Sequence, residues 1–140
     1  VWFGCDFDKY YSHKHSLLNN NLYNTEDFLK SSLELNKKDA INYFQVRINH
    51  AMIIRGFHKN NNKIEKWLVE NSHGGASNCE CNNKSESENK EGTLYMSDDW
   101  FNNFALEIVV DKSFLDNKTK SILKKKPIML EPWDNFGSLL

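Results

Sequence analysis

Residues 51–57, Ala-Met-Ile-Ile-Arg-Gly-Phe, and residues 64–70, Ile-Glu-Lys-Trp-Leu-Val-Glu, are apolar-rich runs of strand length, and the segment between them contains Asn60-Asn61-Asn62. No other feature constrains the fold as tightly. The runs carry β-branched and aromatic side chains, and asparagine accepts the backbone conformations that tight turns impose, so they read as an antiparallel hairpin. Antiparallel pairing brings the start of one strand beside the end of the other. His50 and Asn71 are roughly equidistant from the turn and are expected to be neighbours.

The remaining elements arrange themselves around that hairpin. Asparagine is frequent, 19 residues, and its runs at 19–21 and 60–62 mark connections because they suit turns better than helices or strands. Residues 1–7, opening Val-Trp-Phe, read as a strand, and Tyr10 to Tyr23 as irregular chain. Thr25-Glu26-Asp27 starts a helix reaching about Leu35, with a break at Asn36. Residues 38–47 fit either a short helix or a lead into a strand. Residues 74–91 lack periodicity and read as a long, mobile surface loop. Gly92 to Met96 returns to strand character, and Ser97 caps a short helix through Trp100 and Phe104. Leu106 to Val110 is a strand and residues 115–125 a short helix stopped by Pro127. Pro132 keeps the end extended. The fold class is α+β, a mainly antiparallel sheet with short flanking helices.

Composition narrows the function. Eighteen basic against 19 acidic residues in 140 leave a net charge of −1, with no general drive toward nucleic acid or an anionic membrane. With 39% hydrophobic and 13% aromatic residues the chain is expected to fold. No apolar run approaches the roughly 18 residues of a membrane span. Val1-Trp2-Phe3-Gly4 is too short for a leader and is followed at once by Asp6 and Asp8. The first residue is Val1 rather than Met, which reads as a processed product or a fragment. Three cysteines argue against a disulfide framework and for a reducing, cytoplasmic setting.

Several groups invite a chemical reading. His13 and His15 alternate on an irregular segment. His73, Cys79 and Cys81 supply three zinc ligands where a closed site needs four, so a zinc-binding interaction domain is the weakest alternative. Lys124-Lys125-Lys126 suits a solvated helix end. The sharper pair is His50 with Asn71. A histidine ring oriented by a side-chain amide is the base half of a Cys-His-Asn hydrolase, although taken alone such a pair is more often an ordinary buried hydrogen bond.

His50-Ala51-Met52 and Trp67-Leu68-Val69-Glu70-Asn71-Ser72 resemble the histidine and asparagine segments of papain-like cysteine peptidases, in particular the bleomycin hydrolase / aminopeptidase C branch. Val1 to Asp6, Tyr95 to Phe101, Glu107 to Asp111, and Pro127-Ile128 through Pro132-Trp133-Asp134 to Gly137-Ser138-Leu139-Leu140 resemble further strings of that branch in the same order. The resemblance implies the antiparallel-sheet half of a papain-like fold over residues 1–140, with 127–140 as a tail lying in the cleft. It implies that His50 handles the proton of a cysteine thiolate, that Asn71 orients His50, and that the Leu140 carboxylate meets the free amino group of a peptide substrate. The activity implied is a cysteine aminopeptidase needing no metal or organic cofactor, homo-oligomeric when full-length. The family's nucleophile lies in an upstream segment that nothing here matches, and Cys5, Cys79 and Cys81 fall in other strings. The chain therefore looks like the C-terminal part of the enzyme and is expected to be inactive alone. The residue after Asn71-Ser72, usually Trp in the family, is His73 here, which implies a weaker and more pH-sensitive Asn71–His50 contact. That departure favours the alternative of a catalytically inactive papain-fold binding or assembly module.

Overall fold

Asn61 and Asn62 both adopt positive φ, 45° and 66°, and between them they reverse the chain. Two left-handed residues in succession give a turn whose twist matches that of the strands it joins, and asparagine tolerates this backbone better than most residues. The strands so joined are β4 (His50–Asn60) and β5 (Lys63–Asn71), longer than the apolar runs alone suggest. In this computed structural model, residues 1–32, 35–73 and 92–134 are described. The sequence-based loop at 74–91, with Cys79 and Cys81, and the end of the tail with Leu140 lie outside the described residues.

The hairpin is the centre of a seven-stranded sheet. The other strands are β1 (Trp2–Cys5), β2 (Tyr11–Ser12), β3 (Leu17–Leu18), β6 (Thr93–Ser97) and β7 (Ala105–Val109), and the order is β2-β3-β6-β5-β4-β1-β7. Every pairing is antiparallel except β3 with β6, where Leu17 and Leu18 lie beside Tyr95 and Met96. The segment expected to be irregular, Tyr10 to Tyr23, thus holds two short strands. Leu18 explains the difference: it is fully buried, and its pairing partner Met96 belongs to the core, a contact too distant in sequence for local pattern to reveal.

The helices are short and their ends follow from local chemistry. α1 (Thr25–Leu29) stops well before Leu35 because Lys30 turns into the left-handed region at φ 53°. Asn36, expected as a break, is the N-cap of α2 (Lys37–Asn42), its side chain accepting from the Asp39 amide at 2.9 Å. Ser97 caps α3 (Asp98–Phe104), as its position suggested, by accepting from the Trp100 amide. α4 (Asn117–Ile122) is capped by Asp116, whose carboxylate is held below its ordinary range chiefly by hydrogen bonds from Thr119.

α3 packs its inward side against one face of the sheet. Phe3, Leu18, Met52, Val69, Met96 and Trp100 are each at most 1% exposed and form the centre of the core. The Trp100 indole donates to the Lys9 carbonyl at 2.7 Å, tying α3 to the chain that leaves β1. Trp67 from β5 donates its indole N–H to Asp98 at the start of α3, at 3.0 Å, and packs its ring against Phe101. The Lys37 ammonium donates to the Ala105 carbonyl, linking α2 to β7. Of these ties the Lys37–Ala105 bond lies at the sheet end that carries His50, because Ala105 and His50 both pair with Cys5.

Candidate active site

Asn71 sits opposite Met52 in the hairpin ladder, not opposite His50. The ladder's irregularities between Ile54 and Gly56 and between His58 and Lys59 cancel one another, and the two-residue turn Asn61-Asn62, closed by Asn60 and Lys63, is what sets Asn71 opposite Met52. The correction is small in consequence. Met52 and His50 are two residues apart on β4 and so share a face, which makes His50 the diagonal neighbour of Asn71 on that face. Diagonal neighbours lie within reach of long or planar side chains. The His50 Nε2 to Asn71 Oδ1 distance is 2.7 Å.

That contact fixes the imidazole's tautomer. Asn71 Oδ1 also accepts the backbone N–H of His73 at 3.3 Å, so the amide oxygen meets two N–H groups and the amide's orientation is consistent. An acceptor at Nε2 requires the proton there when the ring is neutral, which leaves Nδ1 with a lone pair. Nδ1 has no hydrogen-bond partner among the described residues. A half-buried imidazole with one nitrogen anchored and the other open can take and return a proton.

The ring is also flanked. Phe7 lies 4.6 Å from it and His73 lies 4.8 Å from it, centroid to centroid. Phe7 went unnoticed at the level of sequence, since nothing in the spacing of a residue just past β1 signals contact with the start of β4. The pairing of Cys5 with His50, which carries the chain after β1 toward His50, is the signal that could have found it.

The same pairing places a cysteine beside a histidine, yet Cys5 is unsuited to nucleophilic work. It is fully buried, its thiol faces the His50 carbonyl at 3.7 Å, and burial, helped by the Asp6 carboxylate, pushes its pKa up to about 12. At pH 8 only about one molecule in ten thousand would carry the thiolate, the reactive form. Iodoacetamide at pH 8 is therefore expected to leave Cys5 unmodified in the folded chain and to alkylate it after denaturation, read as the mass of the Cys5 peptide. Rapid labelling of the folded chain would show that the sulfur is exposed. The sign of the linkage follows: the unfolded chain releases this proton near its ordinary value and the folded chain does not, so Cys5 favours folding at neutral pH and that contribution falls as pH rises from about 9 to about 12.

Among the described residues, no group of three His, Cys, Asp or Glu side chains is placed to hold a metal ion, and no helix is long and apolar enough to cross a membrane. His13 stacks on Tyr11 at 4.2 Å. A cavity of about 940 Å³, lined among others by Tyr10, Asn20, Gln45 and Phe104, does not include His50 or Asn71.

Residues 1–137 match the Peptidase C1-like family. The chain belongs to that family. Bleomycin hydrolase of Gallus gallus is 32% identical over 143 residues, covering 99% of this chain, and aminopeptidase G of Lactobacillus delbrueckii subsp. lactis is 32% identical over 137 residues, covering 98%. Aminopeptidase C of Listeria innocua is 28% identical over 139 residues. The chain spans 29% of the length of each of these relatives. Its fold is similar to the crystal structure of PepW from Lactobacillus rhamnosis, with a TM-score of 0.79 and 28% identity over 96% of this chain and 28% of that one. The α+β, papain-like reading of the sequence is that of this Peptidase C1-like fold.

Proposed function

We propose that this chain is the C-terminal, His- and Asn-bearing part of a cysteine aminopeptidase acting on peptides. The observation that carries the reading is the 2.7 Å contact of His50 Nε2 with Asn71 Oδ1 in a Peptidase C1-like chain, supported by relatives named bleomycin hydrolase and aminopeptidase. In the intact peptidase a cysteine from outside this chain gives its thiol proton to His50 Nδ1. The thiolate and imidazolium stabilise one another, which lowers the thiol pKa below its free value of about 8.5. The thiolate attacks the peptide carbonyl, forming the carbon–sulfur bond. The imidazolium then protonates the departing amine as the carbon–nitrogen bond breaks. Water, giving a proton to His50, attacks the acyl-enzyme, and the proton returns to the leaving sulfur. Asn71 keeps Nε2 occupied, so Nδ1 carries the proton at each stage.

No metal or organic cofactor enters these steps. The Leu140 carboxylate pairs with the substrate's free ammonium group, which restricts cleavage to the first residue. Self-association of the full-length form is part of the same reading. The test compares the intact peptidase on matched peptides with free and N-acetylated amino termini. The expected result is a preference of about ten- to a hundredfold for the free terminus, reduced on deleting Leu140, which withdraws the carboxylate by one residue, because a charge-assisted ion pair supplies about 1.5–3 kcal/mol. Equal rates on both peptides would contradict the aminopeptidase assignment.

The alternative, a papain-fold binding module without catalysis, is favoured by His73, whose exposed ring covers the His50–Asn71 contact less completely than a larger indole would. Active-site labelling of the intact product with a thiol reagent separates the two readings.

A further inference from the structure

A hydrogen bond at Nε2 fixes where one atom of the His50 ring lies, but it leaves the ring plane free to turn. The χ2 preference of histidine is too broad to supply the missing constraint. Two other rings supply it. Phe7 lies against the imidazole at 4.6 Å with an interplanar angle of 40°, and His73 at 4.8 Å with an angle of 34°. They reach it from opposite sides of β4, because β1, which leads into Phe7, pairs along one edge of that strand and β5, which leads into His73, pairs along the other.

Each flanking residue is pinned by its own backbone. The Phe7 N–H donates to Asn49 Oδ1 at 2.8 Å, and the Asn49 amide in turn donates to Asp6 at 2.8 Å and Asp8 at 3.1 Å. Asn49 immediately precedes His50, so this link fastens the Phe7 segment to the start of β4. The His73 N–H donates to Asn71 Oδ1, the atom that also meets His50.

We propose that Phe7 and His73 are positioning residues, a two-sided clamp that fixes the plane of the His50 imidazole and hence the direction of Nδ1. The inference rests on the catalytic reading of His50 for its consequence, though not for its geometry. A base that can rock away from the proton it transfers loses rate steeply, with a 1 Å misplacement costing as much as a hundredfold.

The test has a structural arm and a kinetic arm. The intact peptidase, labelled at histidine, is studied by NMR at pH 8. The expected result is a His50 ring protonated at Nε2, with that N–H protected from solvent exchange. Protection is expected to fall at least about fivefold in Phe7→Leu, which keeps apolar volume without a ring, and in His73→Ala, an exposed position outside the core. Phe7→Tyr and His73→Phe should restore it. Unchanged protection in both ring-removing variants would overturn the clamp, and His73→Ala decides alone if Phe7→Leu does not fold. In the intact peptidase the same two variants should lose about tenfold in kcat with KM little changed, and the ring-retaining variants should recover it. Lost protection with unchanged kcat would keep the clamp and remove the catalytic reading of His50. Unchanged protection with lost kcat would overturn the clamp and leave that reading standing.

Discussion

Replacing His50 by alanine in the intact peptidase is expected to lower kcat by about a thousandfold or more, because in the proposed function the variant loses both the thiolate's counter-charge and the acid that releases the amine. The loss should be no smaller at saturating substrate, since the missing interactions belong to the chemical step rather than to binding. Asn71→Ala should cost less, about ten- to a hundredfold, because it leaves the base in place with its ring less firmly oriented. Circular dichroism should barely change in either variant, as both side chains are only partly buried and lie outside the apolar core. A His50→Ala enzyme within tenfold of the parent would show that another group moves the proton.

Trp100→Ala is expected to be the most damaging single change to the fold. The indole is 0% exposed, packs against Phe104 at 5.3 Å, and is tied to the Lys9 carbonyl. Truncating a buried aromatic to alanine costs about 3–5 kcal/mol. The Lys9 carbonyl would also lose its donor, adding about 1 kcal/mol or more where water cannot replace it. A domain of this size is stable by only about 5–15 kcal/mol, so from about a quarter to all of that margin would go. A large fall in the urea midpoint is expected, with Trp100→Phe losing clearly less. A loss below about 1 kcal/mol for the alanine variant would mean that α3 does not anchor the core.

Much of this was legible in the residues and the rest was hidden for identifiable reasons. The hairpin announced itself through two strand-length apolar runs and an asparagine turn, and Ser97 announced α3, because both signals are local. β2 and β3 gave no such signal: strands of two residues are too short to show alternation, and Leu18 is specified by a partner far along the chain. α1 overran its true end because Lys30 leaves the helix by a backbone rotation that its side chain does not advertise. The neighbourhood of His50 and Asn71 followed from antiparallel geometry, but the two-residue offset did not, since a run of three asparagines does not show that the turn is Asn61-Asn62 with Asn60 already paired to Lys63. Phe7 was missed for a related reason. Its place beside His50 depends on the register of β1 against β4, and one residue of slip would have turned it away.

The most direct measurement is the rate at which iodoacetamide inactivates the intact peptidase, followed from about pH 5 to pH 9, in the parent and in His50→Ala. A thiolate held by an imidazolium oriented through Asn71 should keep the parent's rate high well below pH 8, whereas in the variant it should fall away as an ordinary thiol protonates near pH 8.5. Superimposable profiles for the two proteins would contradict the role given to His50.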